Sequence, residues 1–409
     1  MSYAVVQLGA RMHYAVPRIL HDAGQLARLF TDLCVSGDWL RWCEAFPPSL
    51  RPDGLRRVCG RVPKNVPAER ITAFNLLGLR YAHRRRHARS RRDFARAFLW
   101  AGRSFCEKVV KRGLGEATGV YVFNTAGLEV LDAARTSRRR RILEQTIAPL
   151  RMEHALMQAE RERFPTWLGP LEAGAEFDDL CDREEHEWQL AEKILCGSRF
   201  VRDGIDACGG PKERCIVVPY GVDRRFYLPP RPDHDGPLRV LTVGGVGLRK
   251  GTPYLLAAAD MLRRRATFRL VGALECDSAA VSRLNEVVEL AGSVPHAEML
   301  QHFAWADVFL LPSLCEGSAT AIYEALSSSL PVICTENCGS IVRDGVDGFV
   351  IPIRDSDAIV EAVLRLARDA ALRRHMAESA GARAGEFDFA SYGRELLAAL
   401  DADGRGSAP

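Results

Sequence analysis

The sequence predicts an α/β protein with two Rossmann-like, doubly wound domains that face a central cleft. A chain of 409 residues is too long for one ordinary hydrophobic core. In its second half, short apolar runs alternate with helix-length segments. Near-continuous apolar strands are typical of parallel sheets that helices cover on both faces. Such sheets bind ligands at the carboxyl ends of their strands, so two of them can place their crevices opposite each other.

The predicted elements are clearest in the second half. Six apolar runs are predicted as strands: Leu238–Val243, Phe268–Val271, Val287–Leu290, Val308–Leu311, Val332–Cys334 and Phe349–Ile353. Helices are expected between most of them, at 252–265, 296–306, 319–329 and 357–370. In the first half the clearest strands are Ala4–Leu8, Gly119–Phe123 and Ile194–Cys196, and one long arginine-rich helical stretch covers 74–112.

A domain boundary is predicted near residues 216–237, where proline, glycine and aspartate cluster. We therefore expect a first domain over 1–218, a linker over 219–237 and a second domain over 238–388. The remaining residues, 389–409, should form a helix around Ser391–Leu400 that crosses back to the first domain. They should end in a flexible tail of small and polar residues from Gly404.

The composition, 47% apolar and 26% charged, is that of a soluble globular protein. No run of 18 apolar residues predicts a spanning helix, and the N-terminus lacks the basic start of a signal peptide. The 12 cysteines are scattered without a Cys-x-x-Cys pair, which favours reduced thiols and no zinc site. We therefore expect a cytoplasmic protein.

Positive charge is concentrated in the first half. Residues 1–180 carry 30 Lys and Arg against 19 Asp and Glu, whereas residues 181–409 carry 26 against 33. The cations cluster at Arg80–Arg92 and Arg138–Arg141. A solvated helix face and a loop would explain these clusters, and so would an anionic acceptor or peripheral contact with the anionic inner face of a membrane. Nucleic-acid binding is not expected, because no binding module is recognisable.

The segment Val243–Thr252 follows a predicted strand and opens a helix. Backbone N–H groups at a helix start can face an anion, and Lys250, with Arg249, adds positive charge for a diphosphate. Its order Lys-Gly-Thr differs from that of a P-loop, and the next strand lacks the acid of a dinucleotide-binding fingerprint. A tight turn with surface cations is the alternative interpretation.

The segment Glu316–Glu324 follows another apolar strand. Its small residues at 317–319 permit a close backbone approach, and a helix is expected to start near Ala319. Glu316 should then lie in the loop, and Glu324 on the first or second helical turn. Carboxylates suit pairs of sugar hydroxyls, because each oxygen accepts hydrogen bonds. Amides at the helix start suit a phosphate.

This segment resembles the Glu-x7-Glu signature of the retaining glycosyltransferases of family four, which have the GT-B fold. Other stretches fit the same pattern: 243–251, Glu187–Val201, Val217–Asp223, Gly292–Glu298 and Gly339–Phe349. The resemblance is close over 184–365 and weaker over the first 180 residues.

The resemblance implies roles for single residues. Glu316 would bind hydroxyls of the transferred sugar and Glu324 those of the ribose, while Lys250 would bind the diphosphate. The other donor-binding residues that it implies are Gly9, Gly244, Gly245, Arg249, Val294, Gly317, Ser318, Ala319 and Thr320. Among these, Val294 would hold the base through its backbone, Gly9 would approach from the first domain, and the amides of Ala319 and Thr320 would assist at the diphosphate. No metal or bound cofactor is implied, because cations and helix amides stabilise the departing diphosphate.

Two positions depart from the family pattern. Many members carry an arginine five residues before the lysine, where this chain has Gly245, and Arg249 is a candidate substitute. Many also carry a histidine after a first-domain strand, which contacts the transferred sugar. The most similar stretch, Ile142–Pro149, contains none. His13 and His154 are the candidates for its place, and a surface or packing role would suit each of them as well.

The resemblance implies a metal-independent, retaining hexosyltransferase. It would move a sugar from a UDP-, GDP- or ADP-sugar to a hydroxyl of a glycan, glycolipid or small molecule, with Glu316, Lys250 and, as a further candidate, His13 at the reaction centre. The two departures favour an alternative, a catalytically inactive nucleotide-sugar-binding or scaffolding protein of the same fold. A GT-B epimerase or phosphorylase is a third hypothesis, although no site for the lysine-linked pyridoxal cofactor of a phosphorylase stands out.

Overall fold

The computed structural model describes residues 1–35, 61–88, 90–168, 174–232, 234–295 and 298–402. Their strands form two parallel sheets, which confirms the predicted α/β fold with two Rossmann-like sheets. The first sheet contains β1 Tyr3–Gln7, β2 Leu26–Thr31, β3 Ile71–Ala73, β4 Gly119–Phe123, β5 Arg140–Gln145, β6 Lys193–Cys196 and β7 Cys215–Val217. The second contains β8 Leu238–Val243, β9 Ala266–Val271, β10 Glu289–Gly292, β11 Val308–Leu311, β12 Val332–Thr335 and β13 Gly348–Ile351.

Helices connect most of these strands. Those of the first half are α1 Ala15–Asp22, α2 Asn75–His87, α3 Arg91–Arg112, α4 Leu128–Thr136, α5 Leu150–Arg163, α6 Ala175–Leu190 and α7 Arg199–Ala207. Those of the second half are α8 Thr252–Met261, α9 Ser278–Asn285, α10 Met299–Trp305, α11 Thr320–Ser327, α12 Ser356–Arg368, α13 Ala370–Gly385 and α14 Phe389–Asp401.

The strand order of each sheet contains one reversal point. The first sheet runs β3-β2-β1-β4-β5-β6-β7 and the second β10-β9-β8-β11-β12-β13. The order reverses between β1 and β4, and again between β8 and β11. Ligands of doubly wound sheets bind outside the carboxyl ends of the strands at such a point. The loops after these four strands are therefore the ones that can build a site.

The apolar runs predicted their strands well. Each of the strands expected from them is present within two residues of its expected ends. The strands β1, β4 and β11 are wholly buried, and nearly all of their side chains are apolar on both faces. The strands β2, β3, β5 and β7 were not predicted.

The prediction of one long helical stretch over 74–112 is wrong. The chain forms α2 and α3 there, and Ala88 between them is extended, with ψ 124°. The Ser90 hydroxyl accepts a hydrogen bond from the Asp93 amide, and the Asp93 side chain accepts one from the Ser90 amide. This reciprocal pair is a capping box, which starts a new helix. The pattern Ser-x-x-Asp was visible in the sequence.

The arginine run at 138–141 is partly structural. Arg140 Nη1 donates to the Leu400 carbonyl at the end of α14. Arg141 Nε donates to the Leu190 carbonyl at the end of α6, and its guanidinium also pairs with Glu192. Cations at the carboxyl ends of helices interact favourably with the helix dipole. These two arginines therefore hold helices rather than offer a free basic surface.

Helix α14 packs on the first domain. The Lys193 ammonium donates to the carbonyls of Ala399, at 2.7 Å, and Leu400, at 3.2 Å, and it also contacts the Ala402 carbonyl. Near the other end of the helix, the Tyr392 ring meets Tyr220 edge-on. The last residues of the chain, 404–409, lie outside the described residues, so their expected flexibility stays a prediction.

A second connection between the domains is a buried carboxylate on α5. Glu160 is fully buried, its Oε2 accepts a hydrogen bond from the Tyr254 hydroxyl at 2.7 Å, and its Oε1 pairs with Arg354 Nε at 2.5 Å. Both partners belong to the second domain. Met157 and Trp167 enter the hydrophobic core of that domain beside this ion pair. The segment around α5 is thereby fixed to the second domain.

Two features of the described residues bear on the expected membrane topology and on the state of the cysteines. No helix among them combines the length and the apolar character that a membrane crossing requires. The ten cysteines in this part of the chain are all free thiols.

The ion pair of Glu160 predicts a loss of stability. Glu160→Ala leaves Arg354 and the Tyr254 hydroxyl without their acceptor, and removing one partner of a buried pair costs about 3 kcal/mol. We expect a clear fall in the thermal unfolding midpoint by circular dichroism, and a smaller fall for Glu160→Gln, which retains an acceptor. Glu162→Ala, at an exposed neighbouring position, is the control. Equal midpoints for both alanine variants would contradict this role.

Candidate active site in the central cleft

A cleft of about 1050 Å³ lies between the carboxyl ends of the two sheets. The predicted site residues that line it are His13, Gly244, Gly245, Arg249, Lys250, Val294, Glu316, Gly317, Ser318, Ala319, Thr320 and Glu324. Gly9 and His154 are not among the lining residues. The structure therefore gathers almost the whole predicted set in one place, although its members lie up to about 300 positions apart in sequence.

Glu316 and two cations form the centre of the second-domain wall. Lys250 Nζ lies 2.6 Å from Glu316 Oε1, and Arg249 Nη1 lies 3.0 Å from the same oxygen. Glu316 Oε1 is buried and lies within ion-pair distance of both cations. The cations follow β8 and the carboxylate follows β11, so the pair spans the reversal point of the sheet.

The cations control the charge of this site. Burial opposes ionisation of Glu316, but the charges of Lys250 and Arg249 outweigh it and hold the pKa of Glu316 below its usual range. Burial also opposes ionisation of Arg249, whereas the nearby carboxylates of Glu316 and Glu153 raise the pKa of its guanidinium. Glu316 is therefore an anion at neutral pH, paired with two cations.

Close backbone contacts position the turn that carries the cations. The aliphatic end of Lys250 lies over Gly244, where a Cβ would be 2.7 Å from Lys250 Cε. Gly251 has φ 68°, and a Cβ there would overlap the Pro312 carbonyl. The Leu314 amide donates to the Arg249 carbonyl, and Arg249 Nη1 donates to the Cys315 carbonyl. The loops after β8 and β11 are thus bound to each other before any ligand arrives.

A carboxylate occupies the space beside Gly245. A Cβ at Gly245 would lie within 2.6 Å of the Glu275 carboxylate, from the loop after β9. The arginine that many family members carry at this position would meet that group. Arg249 instead reaches Glu316 from the opposite end of the turn. Sequence reasoning identified the missing arginine but had no signal for Glu275.

The start of α11 offers amides to the cleft. Thr320 and Ala321, its first two residues, have amides without an acceptor among the described residues, and both line the cleft. The residue before them, Ala319, has no side chain that could cap them. The amide of Ala319 donates to the Cys338 carbonyl at 3.1 Å. Of the two amides implied by the family resemblance, only that of Thr320 is therefore available, and Ala321 adds another.

The far ends of this wall hold the remaining predicted donor-binding residues. Glu324 lies on the second turn of α11, half-buried at the cleft surface. Val294 follows β10 and packs against the main hydrophobic core, and its backbone makes no hydrogen bond to the described residues. A base could therefore bond there without breaking an existing contact.

The first-domain wall contains a strained turn after β1. Met12, His13 and Tyr14 have φ values of 44°, 50° and 61°. Left-handed conformations are costly for residues other than glycine and concentrate at functional sites. The turn presents Met12 and His13 to the cleft. The amide of Gly9 donates to Asp32 Oδ1 at 2.9 Å, so Gly9 anchors the loop instead of lining the site.

The other histidine candidate lies elsewhere. His154 stacks on Phe177 with 4.4 Å between the ring centroids. The stretch where many family members carry a histidine instead brings Thr146 and Ile147 to the cleft. His13 is therefore the candidate that the structure brings to the site.

A hydrogen-bonded chain that sequence reasoning missed holds Thr146 in place. Arg11 Nη1 donates to the Thr146 hydroxyl at 3.0 Å, and this hydroxyl donates to Asn124 Oδ1 at the same distance. Asn124 Nδ2 in turn donates to the buried Glu184 carboxylate. Burial raises the pKa of Glu184 to about 7. No local motif announces this chain, because its members come from four separate segments.

The two domains touch at the Glu316 loop. The Ser198 hydroxyl of the first domain donates to the Gly317 carbonyl at 2.5 Å. A Cβ at Gly317 would overlap the Thr146 carbonyl, and one at Gly339 would overlap the Gly317 carbonyl. Glycine at these two positions therefore permits contact between the domains, and the loop that holds Glu316 is part of that contact.

Comparison with known proteins finds a family model that matches part of the chain. Residues 237–369 match the family model of the glycosyl transferases group 1. The amylovoran biosynthesis glycosyltransferase AmsK of Erwinia amylovora is 30% identical over 194 residues, which are 43% of this chain and 48% of that protein. The GDP-mannose-dependent alpha-(1-6)-phosphatidylinositol monomannoside mannosyltransferase of Mycolicibacterium smegmatis is 29% identical over 208 residues, 44% of this chain and 54% of that protein. The chain thus spans about half the length of these curated relatives.

The likeness of the fold extends over both domains. The crystal structure of Anabaena HepE in complex with UDP-glucose superposes with a TM-score of 0.63 and 17% identity, covering 98% of this chain and 99% of that one. At this identity the likeness concerns the fold alone, and that fold is GT-B. The match over 237–369 and this likeness of the fold agree with the resemblance to the glycosyltransferases of family four.

Proposed function

We propose that this protein is a retaining glycosyltransferase that moves a sugar from a nucleotide diphosphate-sugar to a hydroxyl acceptor in glycan or glycolipid synthesis. One observation carries the proposal: the Glu316 carboxylate faces a cleft between two domains, with Lys250 and Arg249 within 3.0 Å. Two cations against one carboxylate leave a net positive charge, which suits a diphosphate. The complex of HepE with UDP-glucose gives a precedent for such a donor in this fold.

The donor would extend along the second-domain wall. Its diphosphate would bind Lys250, Arg249 and the amide of Thr320, and its base would meet the backbone of Val294. The Glu316 carboxylate, which lines the cleft, would accept hydroxyls of the transferred sugar. Each carboxylate oxygen can accept more than one hydrogen bond, so sugar hydroxyls can bind there beside the two cations. Glu324 would accept the hydroxyls of the ribose.

The reaction would proceed by attack on the face from which the diphosphate departs, as the family resemblance implies. The bond between the anomeric carbon and the diphosphate oxygen breaks while the acceptor oxygen bonds to that carbon. The proton of the acceptor hydroxyl passes to the departing diphosphate. Lys250, Arg249 and the amides at the start of α11 oppose the charge that develops on the leaving group. This route requires neither a bound metal nor a side-chain base.

The contact of Glu275 with Gly245 supports a second candidate, a nucleotide-sugar-binding protein without catalysis, because a carboxylate there weakens attraction for phosphate. A donor panel separates the two. The protein would be incubated with UDP-, GDP- and ADP-sugars, with and without acceptors, and release of the nucleoside diphosphate would be measured. Release from one donor supports the enzyme. Binding without release for every combination supports the second candidate.

Lys250→Ala tests the charge at the diphosphate. Removing one group that stabilises a developing anion costs about 100-fold or more in rate. We expect a loss of this size in kcat/KM for the donor that the panel identifies. Lys212→Ala, at an exposed lysine outside the cleft, should leave kcat/KM unchanged. Equal activity of the two variants would exclude Lys250 from the site.

Arg249→Gln tests whether this arginine takes the place of the arginine absent at 245. A charge-assisted hydrogen bond contributes about 2 kcal/mol, so we expect donor affinity by calorimetry to fall roughly 10- to 100-fold. Arg249→Lys keeps the charge but loses the planar fork, and should lie between wild type and Arg249→Gln. If Arg249→Gln binds the donor as tightly as wild type, Arg249 does not take the place of the missing arginine.

We further propose that the first domain contacts an anionic membrane surface. Two leucines of α2 are exposed, Leu76 at 65% and Leu79 at 54%. Four exposed arginines continue along the same helix, at positions 80, 84, 85 and 86, and we call these six residues the basic patch. Exposed apolar residues beside clustered cations suit the surface of an anionic bilayer. Arg89 and the side chain of Arg91 lie outside the described residues.

Charge removal in the basic patch tests this contact. The triple variant Arg80→Gln, Arg84→Gln, Arg85→Gln should lose most of its sedimentation with vesicles that contain phosphatidylserine, since each cation near such a surface contributes about 1 kcal/mol. A control triple variant at exposed arginines of the second domain, Arg263, Arg264 and Arg283 changed to Gln, should bind like wild type. If the wild-type protein does not bind these vesicles, or if about 0.5 M salt leaves its binding unchanged, the electrostatic membrane contact is excluded.

A further inference from the structure

The first-domain wall of the cleft is basic. Among the described residues, two cationic side chains of this domain line the cleft. They are Arg18, on α1, and Lys64, in the turn before β3. Carboxylates line the cleft at Glu316 and Glu324 of the second domain and at Asp223 of the connecting segment. The first domain thus offers positive charge to whatever lies between the walls.

Two of these three carboxylates lie beside other cations. Glu316 is paired with Lys250 and Arg249, and Asp223 lies 3.6 Å from the Arg225 guanidinium. Within the described part of the chain, no carboxylate lies within ion-pair distance of Arg18 or Lys64. Cations in a concave site focus positive potential and attract an anionic ligand.

Both cations are attached to ordered features of the wall. The Arg18 guanidinium lies 5.5 Å from the centre of the Phe389 ring at the start of α14, and Phe389 also lines the cleft. Lys64 lies in a turn in which its amide donates to the Val62 carbonyl. The segment that leads into this turn is tied down by Arg61, which pairs with the buried Asp32 carboxylate at 3.1 Å.

Asp32 links this turn to the loop after β1. Its Oδ1 accepts the Gly9 amide, and its Oδ2 pairs with Arg61. One buried carboxylate therefore positions both the strained turn that presents His13 and the turn that presents Lys64. An anchored backbone of this kind suits a binding wall, because a preorganised loop loses less entropy when it binds.

We infer that the acceptor carries an anionic group, of the phosphate or diphosphate ester class, and that Arg18 and Lys64 bind it. The inference rests on the proposed function, in which the second-domain wall binds the donor through its own cations. Arg18 and Lys64 lie on the opposite wall, away from Lys250 and Arg249, and we therefore assign an anion there to the second substrate. A phosphate on a free sugar and a phosphate that joins a sugar to a lipid have the same chemistry at this wall.

Matched acceptors test the inference. The donor identified by the panel would be offered with neutral alkyl glycosides, with phosphate monoesters of the same glycosides, and with phosphodiesters that carry a lipid tail in detergent micelles. We expect kcat/KM at least tenfold higher for a phosphorylated class than for the neutral parents. A higher kcat/KM for the lipid-tailed phosphodiesters would indicate a lipid-linked acceptor. Equal kcat/KM for the two phosphorylated classes would indicate that the phosphate alone is recognised. Equal kcat/KM for the neutral glycosides and for their phosphates would overturn the inference.

Variants test the residues. Arg18→Gln and Lys64→Gln should each raise KM for the phosphorylated acceptor about tenfold, since a charge-assisted contact contributes about 1.5 kcal/mol or more. Arg18→Lys should restore part of the loss. Three quantities should stay unchanged: KM for the donor, the slow rate of donor hydrolysis by water, and KM for the neutral glycoside. A general disturbance of the fold would change them. Lys108→Gln, at an exposed position on α3 outside the cleft, is the control.

The failure of this inference is distinguishable from failure of the proposed function. If no donor is cleaved with any acceptor, the proposed function fails, and calorimetry with the phosphorylated glycoside still tests the wall. If the wild-type protein binds the phosphorylated glycoside and Arg18→Gln binds it more weakly, the anion site is supported in that case as well. If donor cleavage is normal and neither variant changes KM for the phosphorylated acceptor, the anion site alone is overturned.

Discussion

The structure of the cleft depends on one ion-paired carboxylate. Glu316 would be costly to bury alone, and it stays ionised because Lys250 and Arg249 come within 3.0 Å of it. These groups follow two strands that are neighbours in space, β8 and β11, although more than sixty residues separate them in sequence. The parallel sheet brings the loops together at its reversal point. The ion pair then fixes their charged ends.

Glycine at close approaches makes this arrangement possible. The aliphatic end of Lys250 can lie over the strand end only because position 244 has no side chain. The Glu316 loop meets the first domain only because Gly317 leaves room for the Thr146 carbonyl. Domain contact and the proposed sugar-binding carboxylate therefore share one loop. A donor that contacts Glu316 would act on the same loop that joins the two domains.

The two walls of the cleft are built by different means. The second-domain wall uses loops that follow β8, β10 and β11, and its cations Lys250 and Arg249 contact Glu316 of the same wall. The first-domain wall depends on buried acids beneath it: Asp32 holds the loop after β1, and Glu184 holds Thr146 through Asn124. Its own cations, Arg18 and Lys64, have no carboxylate partners among the described residues. This difference motivates the assignment of the donor to one wall and of an anionic acceptor to the other.

The sequence predicted the elements that burial determines. Strands such as Leu238–Val243 and Val308–Leu311 are apolar because helices cover both faces of their sheet, so a local pattern suffices. Strand β5 begins with Arg140 and Arg141, whose side chains reach the carbonyl ends of distant helices, and no local pattern reports such contacts. The same limit applies to the site. The carboxylates at 316 and 324 belong to one segment, whereas the contact of Glu275 with Gly245 exists only after folding.

The most direct test of the central claim is the position of a nucleoside diphosphate in a crystal structure of the complex, solved with the nucleotide that binds tightest. We expect the diphosphate oxygens within hydrogen-bonding distance of Lys250 Nζ and of the Thr320 amide, with Glu316 directed at the space of the transferred sugar. A nucleotide bound away from the loops that follow β8 and β11, with Lys250 contacting Glu316 alone, would contradict the claim.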